Sequence, residues 1–488
     1  MSWHVDLNDV QTIVLKASRR RFVVHAIVQF ASAEMGRRYL IELEGAFPEA
    51  IHYGARRAAG GCVDLSIGLT FAGLEMLAVP DVYLSVFRRL SRAFADGAAV
   101  RAASHLGDIG ASAANHWDDG FKGRRAHALL TVHANDPGDI EAAKLRLTSA
   151  LQIDAKSASK LHFGPVGEVL GPPPCRDDKP PEAGSWVHFG YRDGLSRARI
   201  RGLDGNASSV ADTEDAQVHE PGELLLGETR DIGDNPWFLP GRPKKFQTLF
   251  RHGSFGVLRQ IEQHTDKFDA AVASWAKRLQ HDGSIDIPED FVRAKLCGRW
   301  PGGALIGKHD PAKRIKEPTD PPVPNADFSN DEHGHGCPFG AHIRRMNPNG
   351  VDSVHMRPGP LFRRGLPYGP WPDPKGPIPD GKSRGLLGLF FCADIEDQFE
   401  HLLGEWADRS PLGTPGTNRA KDPLIGAHDN PFEAFEIPRE GRPALVLEGL
   451  TPFVTTRGTL YAFYPSREAL ALLRSADWDA DSEPWDDR

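Results

Sequence analysis

The chain has 488 residues, 25% of them charged, and a formal net charge of -8. That length exceeds one ordinary core, so two domains or two halves of a pseudo-repeat are expected. The acidic balance argues against a non-specific nucleic-acid binder, and no apolar run approaches the roughly 20 residues a membrane span needs.

The opening MSWHVDLNDVQ carries neither a basic-then-apolar leader pattern nor a twin-arginine pattern, which points to a cytoplasmic protein. Residues 21–30, RFVVHAIVQF, are rich in β-branched and aromatic side chains and read as a strand, and Ala31 to Leu43 continues at helical spacing. CVDLSIGLTFAGLEML (62–77) reads as a strand running into a helix. AHALLTVHAN (126–135) is a further strand, with a turn expected at Pro137-Gly138 and a helix over 141–152. The Pro- and Gly-dense segment 164–184 is a loop that delivers the chain to WVHFGYRDG (186–194). A second set follows: strand 253–262, helices 268–280 and 288–300, and strands 384–393 and 459–466 with a helix between them. This order suits an α+β sandwich with helices covering an antiparallel sheet. Three long irregular stretches, 301–336, 356–383 and 410–441, are of the kind that wall ligand cavities. The cysteines at Cys62, Cys175, Cys297, Cys337 and Cys392 are odd in number and contain no CxxC, which suggests a reducing compartment and no cysteine-rich zinc site.

The segment CPFGAHIRRMNPNG (337–350) sets His342 behind small residues and ahead of Arg344 and Arg345, and Pro348 ends it. A neutral imidazole is a good iron ligand, and the two arginines are placed to meet anionic carboxylates such as those of haem. The run Asp331 to Cys337 alternates His and Cys but lacks a second ligand set, so a polar loop is the better reading than zinc. Asp193, before Gly194, is either a turn aspartate bonded to its own backbone or an acid/base at a cavity mouth. Arg363 and Arg364 sit between apolar Phe362 and the turn GLPYG, so one of them can point inward. In ADIEDQFEHLLGEWAD, Ile395, Phe399, Leu402, Leu403 and Trp406 form one helix face. Asp394 reads as that helix's cap rather than as a carboxylate partner of His342.

Taken together, FGYRDGLS (189–196), GELLLGE (222–228), GSFGVLRQIEQ (253–263), GRWPGGALIG (298–307), CPFGAHIRRMNPN (337–349), FRRGLPYG (362–369), RGLLGLFFCADIEDQFE (384–400) and FVTTRGTLYAFYPS (453–466) resemble the dye-decolorising peroxidase family, in the family's order. LTFAGLEML (69–77) matches more loosely. The resemblance implies two ferredoxin-like α+β domains of the dimeric α/β-barrel type, each an antiparallel sheet with peripheral helices. They would span residues 1–215, carrying the distal aspartate, and 216–488, holding a haem b (iron protoporphyrin IX). It implies His342 as the proximal iron ligand, Asp193 as the distal acid/base, and Arg363 as the distal arginine in contact with the haem. Gly194, Leu195, Ser196, Asn347, Pro348 and Asn349 would line the cofactor. Two departures stand out: Asn349 where the family often has arginine, and Arg197-Ala198 where Gln-Pro is common. The implied activity is reduction of hydrogen peroxide and one-electron oxidation of phenolic, dye-like or other aromatic donors through a ferryl intermediate. The alternative is a haem-binding, carrier or iron-releasing protein of the same fold; a homo-oligomer is compatible with either.

Overall fold

In a computed structural model of the chain, the described residues are 5–48, 50–54, 61–151, 159–174, 186–196, 198–203, 218–233, 235–239, 241–281, 287–307, 315–318, 322–349, 359–374, 379–409, 421–430 and 433–478. Cys175 and the expected boundary at 215/216 lie outside them.

The β-branched runs form the expected strands. The first half supplies β1 (Phe22–Gln29), β2 (Val63–Leu69), β3 (Ala128–Ala134), β4 (Lys160–Phe163) and β5 (Gly167–Glu168). Two short pairs follow, β6 (Trp186–Val187) with β7 (Tyr191–Arg192), and β8 (Arg199–Ile200) with β9 (Val218–His219). The second half supplies β10 (Ser254–Gln263), β11 (Phe362–Arg363), β12 (Leu366–Tyr368), β13 (Gly385–Cys392), β14 (Ala434–Arg439), β15 (Arg442–Glu448) and β16 (Val454–Tyr464). The spatial order is β2-β3-β1 with β4 and β5 beside β1 in the first half, and β12-β13-β10-β16 in the second. Each half therefore has ferredoxin-like antiparallel order.

The two sheets fuse into one circuit. β16 meets β2 at Phe463↔Leu69, β12 meets β5 at Tyr368↔Gly167, and β13 pairs with β10 across eight registered residue pairs. Closure satisfies strand edges that would otherwise lie open. It also explains why β1, β2 and β3 are buried almost throughout: one face lines the barrel and the other lies under helices. Space inside is tight. A Cβ on Gly68 or Gly256 would come within 2.7 or 2.3 Å of the Tyr464 ring, so glycine is required at both places.

Three expectations change. The helix expected over 141–152 starts earlier, at Pro137, where proline loses no helical hydrogen bond and Asp136 caps the Gly138 N–H at 2.7 Å. Residues 81–105, given no element from sequence, form three short helices, Asp81–Leu90, Arg92–Asp96 and Ala98–His105. The end of the stretch read as irregular to 441 begins a hairpin, β14–β15, turned at Gly441 (φ 63°). Its period-2 burial at Phe435 and Ile437 was present in the sequence. Among the described residues no helix is long and apolar enough to cross a membrane.

A buried ionic clamp joins the two ends of the chain. His252 is 6% exposed and left-handed (φ 59°), with Nδ1 2.8 Å from Asp9 and Nε2 3.3 Å from Glu228. Asp9 also accepts the Glu468 N–H at 2.9 Å, in the first turn of the last helix, Arg467–Ser475. Burial alone would lower the His252 pKa, but the Asp9 and Glu228 carboxylates raise it to about 9. A raised folded-state pKa stabilises fully below the unfolded value near 6.5 and is lost as pH rises through 9. Thermal melts should lose on the order of 3 kcal/mol of stability across that window. His252→Asn, which tolerates the left-handed backbone, should flatten the slope; an unchanged slope would contradict the clamp.

Candidate functional site

His342 opens a short helix, His342–Met346, after the extended Ala341. Its side chain is 26% exposed, and its Nδ1 lies 2.8 Å from the Asp422 carboxylate, which is fully buried. A carboxylate only accepts, so Nδ1 donates and the lone pair sits on Nε2. No described residue hydrogen-bonds Nε2. Asp422 is held by the Leu424 and Ile425 amides at 2.9 and 3.1 Å, and its own carbonyl accepts from His428 Nε2 at 2.9 Å. Burial alone would raise the Asp422 pKa, but His342, the nearby Arg345 charge and the Leu424 amide outweigh it and hold it below the usual carboxylate value. Sequence reading missed Asp422. It is 80 residues from His342, in a stretch without periodicity, and carried no local signal.

Asp394 instead caps its own helix, accepting the Asp397 N–H at 3.0 Å, as expected. That helix, Ile395–Ala407, follows β13 and is wound as a π-helix. Its last turn explains Arg345, which is 1% exposed and donates to the carbonyls of Trp406 (2.8 Å), Arg409 (3.0 Å) and Gly340 (3.2 Å). A cation there satisfies carbonyls that a helix end leaves open. Arg344 is likewise committed to Asp331 and to the Cys337 carbonyl, and stacks between Phe328 and Phe339. The expectation that these two arginines meet ligand carboxylates is therefore corrected: both serve the loop that presents His342. Asp331 also accepts the Gly336 and Cys337 amides, as a polar loop would. Among the described residues no group of three or more His, Cys, Asp or Glu could hold a metal ion.

Asp193 and Arg363, expected from sequence to act together, lie beside each other. WVHFGYR is a tight hairpin, β6–β7, rather than a strand ending at His188-Phe189. Gly190 (φ 83°) reverses it, and its N–H bonds the Val187 carbonyl at 2.8 Å. Asp193 leaves β7, and Gly194 (φ 76°) turns the chain next. Arg363 comes from β11, opposite Phe390 of β13. Its Nη1 lies 3.5 Å from Asp193 Oδ1, with the side chains 47% and 42% exposed, and its Nη2 is 3.5 Å from the Ser196 carbonyl. Strand alternation sends Arg364 the other way, where it donates to the carbonyls of Ile13 and Val14.

Of the remaining residues, Gly194 is exposed and a Cβ there would meet nothing within 4 Å, which marks open space beside Asp193. Leu195 packs on Gly303, and Ser196 donates to the Pro324 carbonyl at 2.6 Å. Asn347 is exposed and Pro348 buried; the Asn349 carbonyl accepts the Phe328 N–H at 3.0 Å, while its buried side-chain Oδ1 has no hydrogen-bond partner among the described residues. Among the described residues no hydrogen bond or ion pair joins 347–349 to Asp193 or Arg363. Burial raises the Cys297 thiol pKa to about 12; Arg299 opposes this, and the Asp422 and Asp193 charges add to it.

An isolated histidine with a spare Nε2 and a carboxylate behind it suits an iron whose other ligands come from a macrocycle. The acid–guanidinium pair and the open space beside Gly194 fit the same group. No family model matches the sequence. The chain is 26% identical to dye-decolorizing peroxidase msp1 of Mycetinis scorodonius over 441 residues, 84% of this chain and 76% of that protein. It is 27% identical to multifunctional dye peroxidase DyP2 of an Amycolatopsis species over 497 aligned positions, covering 96% and 95%. Among solved structures it superposes on an ancestral D-type dye-decolorizing peroxidase with TM-score 0.75 at 23% identity, covering 96% and 98%. An Anabaena DyP-type peroxidase gives 0.73 at 23%, covering 96% and 94%. Both relatives are named as dye-decolorizing or dye peroxidases, and the barrel is the fold of the DyP-type structures.

Proposed function

We propose that this protein is a haem-dependent peroxidase that reduces hydrogen peroxide and oxidises phenolic, dye-like or other aromatic donors in one-electron steps. The observation that carries the reading is the His342–Asp422 bond at 2.8 Å, which leaves Nε2 as a lone-pair donor. His342 would hold the iron. Arg363, Gly194, Leu195, Ser196, Asn347, Pro348 and Asn349 would surround the porphyrin. Bound haem supplies the redox chemistry, taking oxidising equivalents from peroxide and releasing them singly. The protein supplies proton transfer and charge. Asp193 accepts a proton from one peroxide oxygen and returns it to the other, and Arg363 stabilises the negative charge on the departing oxygen. The exposure of both side chains leaves them reachable by a small solute. A cytoplasmic location belongs to the same reading and is supported by the unpaired state of Cys62, Cys297, Cys337 and Cys392.

Stopped-flow absorption of the hemin-loaded protein tests the proposal. A Soret band that shifts on mixing with peroxide and returns when a phenolic donor is added supports it. A band that only bleaches favours the carrier reading, and no Soret band removes haem. Asp422→Asn keeps the size of the side chain but removes the charge behind His342. It should cost about 10–100-fold in hemin affinity or peroxide reactivity. Wild-type values for both would show that the carboxylate does not tune the ligand.

A further inference from the structure

Arg299 has no role in the chemistry described so far, yet its side chain reaches the distal loop. It follows the helix Glu289–Cys297, which Gly298 ends in left-handed conformation (φ 93°). The residues after it form a tight turn, in which the Gly303 N–H bonds the Trp300 carbonyl and the Trp300 N–H bonds that of Ala304, both at 2.8 Å. The side chain is 5% exposed. Nη1 donates to the carbonyls of Gly303 (2.9 Å) and Val323 (2.8 Å), and Nη2 to the Pro324 carbonyl (2.8 Å) and Ser196 Oγ (3.3 Å). All four acceptors are neutral. Among the described residues no carboxylate lies within salt-bridge distance of it. Burial pushes its pKa below the ordinary arginine value, and the Arg363 charge pushes in the same direction.

A buried cation without an anionic partner costs several kcal/mol in desolvation, so this one is a poor choice if stability alone is at stake. Its geometry accounts for it better. A planar fork can hold several oxygens at fixed angles, which neither lysine nor glutamine reproduces. The four bonds tie the 299–305 turn, the 323–324 segment and Ser196 together. Ser196 is gripped on both sides, its hydroxyl by Arg299 and Pro324, its carbonyl by Arg363 at 3.5 Å. Leu195 is wedged against the same turn: a Cβ on Gly303 would come within 2.5 Å of its Cδ1.

We propose that Arg299 is a positioning residue of the distal site, fixing the loop Asp193–Ser196 and, through the Ser196 carbonyl, the guanidinium of Arg363. It touches neither peroxide nor cofactor. The inference rests on the peroxidase reading for its consequence, but the clamp can be tested without haem. In the full chain free of hemin, Arg299→Gln should raise hydrogen exchange of the peptide covering 191–196 by about tenfold. In the hemin-loaded protein the same change should weaken cyanide binding, followed at the Soret band, by about tenfold. In an Arg363→Ala background it should weaken it less than about twofold, because the two residues act in series. Arg299→Lys, which keeps the charge but not the fork, should fall between wild type and Arg299→Gln in both measurements, and it carries both if Arg299→Gln fails to fold. Unchanged exchange in a folded variant, or fully additive losses with Arg363→Ala, overturns the proposal. If the wild-type chain takes up no hemin, the peroxidase reading falls, while exchange still decides whether the clamp exists.

Discussion

Asp193→Asn slows the reaction of the hemin-loaded protein with hydrogen peroxide by about 10²–10⁴-fold while leaving hemin bound. The size follows from what is lost. Asparagine matches aspartate in shape and can still accept a hydrogen bond from Arg363, 3.5 Å away, so the loop and the neighbouring cation stay in place. It cannot take a proton from one oxygen and return it to the next. Because Asp193 is half-exposed and its loop is held through Ser196, no large change in stability accompanies the loss. Single-mixing stopped flow against peroxide concentration gives the second-order rate constant directly. A wild-type rate constant would remove Asp193 from the chemistry and leave it as a turn residue before Gly194.

His342→Ala abolishes the Soret band of the reconstituted protein. Alanine removes the imidazole whose Nδ1 is bonded to Asp422 and whose Nε2 is left to a ligand, and the described residues offer no cluster of other ligands to replace it. The same change strands Asp422. Its Oδ1 keeps the Leu424 and Ile425 amides, but Oδ2 loses its donor inside a fully buried pocket. A lost hydrogen bond to a buried charge costs about 1.5–3 kcal/mol, so the variant should melt measurably lower than wild type. Added imidazole should restore part of both losses by filling the space and donating to Asp422. A histidine-type five-coordinate spectrum in the variant without imidazole would show that another residue is the ligand.

Asp193→Asn and His342→Ala fail in different ways. Loss of His342 removes the group itself and shows before any peroxide is added; loss of Asp193 shows only in the reaction. A haem carrier would share the first behaviour and lack the second. The Asp193–Arg363 pairing across two strands of different halves is more than carriage alone needs.

Much of the fold was legible because its elements are periodic. RFVVHAIVQF and RGLLGLFFCA are β-branched or aromatic runs bounded by turn formers, and they became β1 and β13 almost to the residue. The helix face from Ile395 to Trp406 and the cap at Asp394 are also local, set by residues three and four apart. Where the local signal was ambiguous the reading slipped: proline at 137 begins a helix as readily as it ends a turn, and the hairpin after residue 433 was hidden by the aperiodic stretch before it.

The sequence by itself determined the strand and helix alternation of two α+β halves, and the motifs around Asp193, His342 and Arg363. Those are properties of neighbouring residues, and neighbours leave periodicity and turn chemistry in the chain. Only the tertiary structure decided that the two sheets close on each other through single bridges at Phe463↔Leu69 and Tyr368↔Gly167. It alone decided that Asp422, not Asp394, stands behind His342, that Arg344 and Arg345 are consumed by their own loop and helix end, and that Arg299 reaches Ser196. Each of these is a hydrogen bond or ion pair whose partner is chosen by packing rather than by spacing. Such a choice leaves no mark on the residues to either side.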